Sequence, residues 1–254
     1  MRLDCAASCE IIKASIYKTF SQGGYNFGLN TASTNTGFCN PHKNKSCDKF
    51  LLQKIEHLAL KYNDQSSYTW LTLFAAAHDH VSYQPDPQRP IVIMVYRLKN
   101  GSRVTEILED IAEVYDSVLP PWKNYGNITI DGKSFTNSSP EETQKQIQDM
   151  LENGFEKEAQ KVAVVYDFDK LPSCSVLTFH NYCNNEDAPH KNVAIILTVT
   201  GTDENLPSNP KSPDLEEAVS KSFHEKWKDC PEELPPGKID AMLSRVANNV
   251  ILLR

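Results

Sequence analysis

The sequence predicts an α/β fold: a five-stranded parallel sheet with helices on both faces. Three observations carry it. Short apolar runs rich in β-branched residues stand at 91–96, 161–166 and 193–199, as in strands buried on both faces. Segments of helical periodicity separate them, which favours parallel strands joined by right-handed crossovers. Serine–proline pairs at Ser139-Pro140 and Ser212-Pro213 each supply a cap followed by an N1 proline, the signature of a helix start.

The elements follow in order. Residues 1–46 carry turn and loop chemistry with little periodicity and read as a poorly ordered arm, leaving 47–254 as the folded domain. Ser46 can cap a helix whose Phe50, Leu51, Ile55, Leu58 and Tyr62 share one face, and 68–77 reads as a second helix. The strand IVIMVY at 91–96 comes next. Ser102 then opens a helix with the stripe Val104, Ile107, Leu108, Ile111, Val114 and Val118, ending before Pro120. Asn127 to Ile130 is a second strand. The helix headed by Ser139-Pro140-Glu141-Glu142 is expected to close at Asn153-Gly154. Strand 161–166, a short helix over 173–182 and strand 193–199 succeed it. Helices over 212–227 and 238–247 lead to a last strand at 250–253.

Composition excludes several functions. Across 254 residues, 26 Lys plus Arg against 33 Asp plus Glu leave a net charge of −7 with no basic cluster, so the electrostatic footprint of a nucleic-acid binder is missing. No run of 18 apolar residues occurs, and none of the seven cysteines falls at zinc-ribbon or zinc-finger spacing. Sequons at Asn44, Asn100, Asn127 and Asn137 are candidate N-glycosylation sites and tilt weakly toward a lumenal location.

Parallel sheets bind ligands at the carboxyl ends of their strands. After the first strand, Arg97-Leu98-Lys99-Asn100-Gly101-Ser102 lacks the GxxxxGK[ST] loop that would cradle phosphates. Asp131-Gly132-Lys133-Ser134 matches its end, but Gly126 stands one residue too far upstream. Tyr166-Asp167-Phe168-Asp169 ends the third strand in acids that could hold Mg²⁺ beside such a loop; without one, solvated acids or a helix cap are expected. His78 and His80 diverge on a helix and read as a solvent-facing pair, with no metal site expected. Arg245 stands at the end of the last helix, just before the final strand. A guanidinium there can be a helix C-terminal charge, or it can be presented to a phosphate held by a neighbouring molecule.

The stretch Asn153-Gly154-Phe155, then AVVYDF, LPSCSVLTFHNYC and DAPHKNVAIILTV, together with IDG at 130–132 and the closing DAMLSRVANNVILL, resembles the lumenal domains of the torsin-activating cofactors, the lamina-associated polypeptide family. The resemblance runs from about Ile91 to Leu253. It implies a degenerate AAA+-like domain of the P-loop-ATPase type, without a nucleotide-binding loop. Such a domain is no enzyme itself: it docks on an ATP-bound torsin-type AAA+ ATPase and supplies an arginine finger in trans, here Arg245. Asp240, Ser244 and Asn248 would lie on the contact face. The chain would bind no cofactor of its own and would act on ATP and Mg²⁺ held by the partner.

The resemblance further implies the lumen of the endoplasmic reticulum or the perinuclear space, with a membrane anchor outside this sequence. In that family a cysteine beyond the last strand would pair with the position of Cys183. This sequence ends at Arg254, so Cys183 is expected to be free or paired with another cysteine. Two alternatives stand beside the activator: an adaptor that tethers a partner without stimulating it, and a hydrolase acting through Lys133 and Asp167.

Overall fold

Apolar side chains at nearly every position of the central strands let the sheet bury both of its faces. In the computed structural model, which describes residues 47–82, 87–98, 103–121, 126–184, 186–201, 206–207, 210, 212–227 and 238–254, five strands pair in parallel. They are β1 (Ile91–Leu98), β2 (Ile128–Asp131), β3 (Val162–Tyr166), β4 (Ala194–Gly201) and β5 (Val250–Leu253), in the order β2-β3-β4-β1-β5. Successive side chains point to opposite faces. Ile91, Ile93, Val95, Val164 and Ile196 therefore meet one layer, made of α1 (Cys47–Lys61), α2 (Ser67–Ser82) and α3 (Val104–Val118). Val92, Met94, Val165, Leu197 and Val250 meet the other, made of α4 (Pro140–Glu152), α5 (Thr178–Tyr182), α6 (Ser212–Trp227) and α7 (Lys238–Val246).

The expected arm over 1–46 lies outside the described residues, as do Ser46 and Ser102. At the head of α4 the cap forms as the sequence requires: Ser139 Oγ accepts the Glu142 N–H at 3.2 Å, with Pro140 behind it. The foot of α4 differs from expectation. Instead of closing at Asn153-Gly154, the chain continues through a π-turn over Asn153–Lys157. Gly154 has no left-handed cap role here; it is small because a Cβ would lie 2.3 Å from Cγ1 of Ile128 on β2. The left-handed residue comes later, at Ala159, φ 54°.

The two edges of the sheet are treated differently. Along the outer side of β5, the Gln65 side chain donates to the Arg254 carbonyl and accepts from the Arg254 N–H, both at 3.0 Å, and Thr69 Oγ1 donates to the Leu252 carbonyl at 3.1 Å. One amide side chain thus does the work of a neighbouring strand. Among the described residues β2, at the other edge, pairs with β3 alone.

Below the amino end of β3 sits Lys161, with only 2% of its side chain exposed. Its ammonium lies 3.0 Å from Asp116 Oδ1 and donates to the carbonyls of Asp116, Leu119 and Pro121 at 2.6, 3.0 and 2.9 Å. A buried lysine persists because every donor is used. It ties the end of α3 and the following turn to the sheet. Among the described residues, no helix is long and apolar enough to cross a membrane.

Candidate functional site

The loops leaving β1 and β4 lead to opposite layers, α3 on one side and α6 on the other, so the crevice of the sheet opens between the carboxyl ends of these two strands. Side chains of this chain fill it. Tyr96 lies across Gly201, where a Cβ would fall 1.8 Å from its ring. Asp167, in a left-handed conformation (φ 48°), turns its carboxylate to Arg97 on β1 and to Lys133, 2.8 Å away on the turn after β2. Thr200 Oγ1 donates to the same carboxylate at 3.2 Å, and the Asp167 N–H donates to Thr198 Oγ1 at 2.9 Å. Asp169 accepts from Lys226 at the end of α6, lies 3.2 Å from Lys170, and takes the Thr200 N–H at 3.3 Å.

These acids are neither solvated nor helix caps, which corrects the expectation from sequence: both are 5% exposed and ion-paired. Between them Phe168 is driven into the core, edge-on to Phe179, Phe223 and Trp227 at centroid distances of 5.2, 5.6 and 6.0 Å. That anchor holds both carboxylates inward, and the cations converge on them from four separate segments. Burial alone would raise the Asp167 carboxyl, but the Lys133 and Arg97 hydrogen bonds outweigh it and hold it below the usual carboxylate range. Its folded value lies below the unfolded value of about 3.9, so the stability it contributes is complete above that pH and is lost as pH falls through the folded value. Denaturant midpoints at pH 6 and pH 3 should accordingly show a smaller acid loss in Asp167→Asn than in the native chain; equal losses would contradict the assignment.

Gly132 is where backbone approaches backbone most closely in this cluster. A Cβ there would meet the backbone oxygen of Asp167 at 2.2 Å, and backbone cannot swing aside. Gly132→Ala should cost about 1–3 kcal/mol by overpacking, measured by thermal unfolding. A melting temperature unchanged within error would show that the turn can move away freely.

Arg245 lies at the opposite end of the sheet. Its helix, α7, runs down to the start of β5, and Asn249 fixes the junction by donating Nδ2 to the Val92 carbonyl at 3.0 Å while its own carbonyl accepts the Met94 N–H at 2.9 Å. The Arg245 guanidinium is half-buried and folded along its helix, with Nη1 donating to the Ala241 carbonyl at 2.9 Å. Ser244 is exposed and donates to the same carbonyl at 2.8 Å; Asn248 is exposed. Asp240, exposed at the head of α7, lies 3.1 Å from His224 Nε2 on α6. The four residues named from sequence therefore share one helix and the turn after it.

Of the two states expected of Cys183, it takes the free one and not the disulfide: the thiol is fully buried against the α5 layer, and burial pushes it up to about 12. Cys47 and Cys174 are the disulfide-bonded cysteines among the described residues. His80 is 5% exposed rather than solvent-facing, its ring nitrogens 3.0 Å from the Arg89 carbonyl and 3.2 Å from Asn192 Oδ1, and burial lowers its proton affinity. His78 packs on Phe74 at 5.3 Å. No cluster of three metal-ligating side chains occurs among the described residues. Asn127 is half-buried and Asn137 exposed, while Asn44 and Asn100 lie outside the described residues.

Sequence reading passed over Lys226, Thr198 and Thr200. Alternation on β4 placed Thr198 and Thr200 together on one face at its carboxyl end, and that was the available signal.

The architecture defines the class first: an α/β domain with a parallel sheet whose carboxyl-end crevice is occupied by its own ion pairs. Comparison with known proteins adds the family. The family described as Lamina-associated polypeptide 1, AAA+ activator domain, matches residues 34–252. Torsin-1A-interacting protein 1 of Bos taurus is 27% identical over 204 residues, covering 78% of this chain and 33% of that protein. The human protein of that name is 24% identical over 220 residues (84% and 37%), and the mouse protein 28% over 206 residues (78% and 33%). The chain belongs to the lamina-associated polypeptide 1 AAA+ activator domain family, with an AAA+-like fold. It spans about a third of the length of these curated relatives, and the family match reaches upstream of Ile91, where the resemblance read from sequence began.

Proposed function

We propose that this domain is a non-catalytic activator of a torsin-type AAA+ ATPase: it binds the ATP state of that partner and supplies Arg245 in trans to trigger hydrolysis. The observation that carries the reading is the position of Arg245, on the helix that feeds the last strand of a domain whose family is described as an AAA+ activator. The relatives' printed names, Torsin-1A-interacting protein 1, supply the partner class. Arginine suits the role because it is always charged and its planar fork spans two phosphate oxygens.

The domain's own crevice supports a pseudo-ATPase. Tyr96 covers Gly201, and Asp167 and Asp169, the acids that would otherwise face Mg²⁺, are held by Arg97, Lys133, Lys170 and Lys226. ATP and Mg²⁺ then belong to the partner, and this chain carries no cofactor. The disulfide-bonded Cys47 and Cys174 fit an oxidising compartment, in keeping with the lumen of the endoplasmic reticulum or nuclear envelope.

The test is ATP turnover by a torsin with and without the native domain, alongside Arg245→Ala and the domain alone. Stimulation by the native domain and none by the variant, with binding kept, is the expected result. Turnover by the domain alone would overturn the pseudo-ATPase reading, and binding without stimulation would make the domain an adaptor.

A further inference from the structure

The two edges of the sheet pose one problem, and the described chain solves it at one edge. An exposed edge strand presents unpaired N–H and C=O groups and is a template for pairing with another chain. Gln65 and Thr69 close the β5 edge. The β2 edge has β3 on its inner side, and among the described residues no strand lies on its outer side. Its second face is open as well. Ile128 and Ile130 are buried toward α4, whereas Thr129 and Asp131 are exposed, because the α1–α3 layer covers β3 and stops short of β2.

Asn127, Ile128 and Thr129 form a sequon that lies along this edge. Alternation puts the half-buried Asn127 on the same face as the exposed Thr129. The other described sequon is less suited. Its hydroxyl residue, Ser139, is already engaged as the cap of α4, its Oγ accepting the Glu142 N–H.

We propose that Asn127 carries an N-linked oligosaccharide that covers the free edge of β2. This rests on the lumenal reading above. In the step, Nδ2 of Asn127 bonds to the anomeric carbon of an oligosaccharide carried on a lipid pyrophosphate. The anomeric C–O bond breaks, and the pyrophosphate leaves with the electron pair as Nδ2 loses one proton. Strand order also keeps the glycan clear of the activator surface. β2 and β5 are the opposite edges, four strand spacings or roughly 19 Å apart, and Arg245 stands beside β5.

The experiment sends the chain into the secretory pathway behind a cleavable leader, so that the acceptor is read whatever the native compartment. Glycosidase release in heavy-oxygen water, followed by peptide mass spectrometry, should convert Asn127 to labelled aspartate. Asn127→Gln and Thr129→Ala should each remove one mobility step, and Thr129→Ser should keep it. An unmodified peptide at Asn127, or an unchanged ladder in Asn127→Gln, overturns the proposal. Light scattering tests the covering role: Asn127→Gln should self-associate at concentrations where the native glycoprotein stays a single species, and equal dispersity overturns that role. Protease protection of the untagged protein judges the compartment separately; cytosolic exposure would sink the lumenal reading while the acceptor result stands.

Discussion

Arg245→Ala should lower partner-stimulated ATP turnover by 10³ to 10⁵, the range that arginine fingers supply in trans, or roughly 4 to 7 kcal/mol of transition-state stabilisation. Binding should change far less, since an interface spreads its area over many residues and one truncated side chain leaves most of them in place. The fold should survive too: among the described residues, the Arg245 side chain makes a single hydrogen bond, to the Ala241 carbonyl of its own helix. Arg245→Lys is the sharper control. It keeps the charge and loses the planar fork, so it should recover only a small part of the stimulation. Steady-state turnover and a binding titration on the same samples decide the matter. A variant whose stimulation and binding fall in step would mean that Arg245 holds the interface and does not reach the phosphate.

The largest effect on stability should come from Lys161→Ala, at about 3–5 kcal/mol, the cost of removing one partner of a buried ion pair. The variant strands the Asp116 carboxylate at 4% exposure and leaves the carbonyls of Asp116, Leu119 and Pro121 without their donor. Against a typical total of 5–15 kcal/mol this is a large share. Burial pushes Lys161 down and Asp116 up in spite of their mutual attraction, whereas the three carbonyls are satisfied by Lys161 alone. Asp116→Asn should therefore cost less, since Lys161 keeps all three carbonyls. Denaturant unfolding of the two variants checks this. A Lys161→Ala loss below that of Asp116→Asn would place the energy in the charge pair rather than in the carbonyl cradle.

Local pattern carried much of the fold into view. Continuous β-branched apolar runs located β1, β3 and β4, and Ser139-Pro140 located the head of α4, because those signals are set by residues within one element. The foot of α4 was misplaced for the opposite reason. Gly154 looks like a cap in sequence, but its smallness answers to Ile128 on a distant strand. The carboxyl-end cluster was half visible: the acids Asp167 and Asp169 announce themselves and Lys133 stands out in its partial loop motif, while Arg97 and Lys226 are ordinary surface cations until the sheet brings them together. His80 was misread on the same ground, since its partners Arg89 and Asn192 come from other parts of the chain. The place of Arg245 between the last helix and the last strand is legible in the sequence, but position alone leaves it a helix C-terminal charge or a phosphate contact, and the proposed role in trans comes from the family resemblance.

The strand order has a consequence for the timing of folding. β1 is the first strand of the sheet to be made, yet its two neighbours are β4 and β5, the last two. Asn249, which seats the junction onto Val92, lies 157 positions further along. At synthesis rates of 5–20 residues per second, β1 waits roughly 8 to 30 s for its final neighbour. Until β4 is made, about 100 residues after β1, the segment IVIMVY has two bare edges, and until β5 is made it has one, with an apolar side chain at every position, the condition under which nascent chains aggregate. The centre of this sheet is completed last, and a cell making the protein must shield its middle before there is a finished domain to protect it.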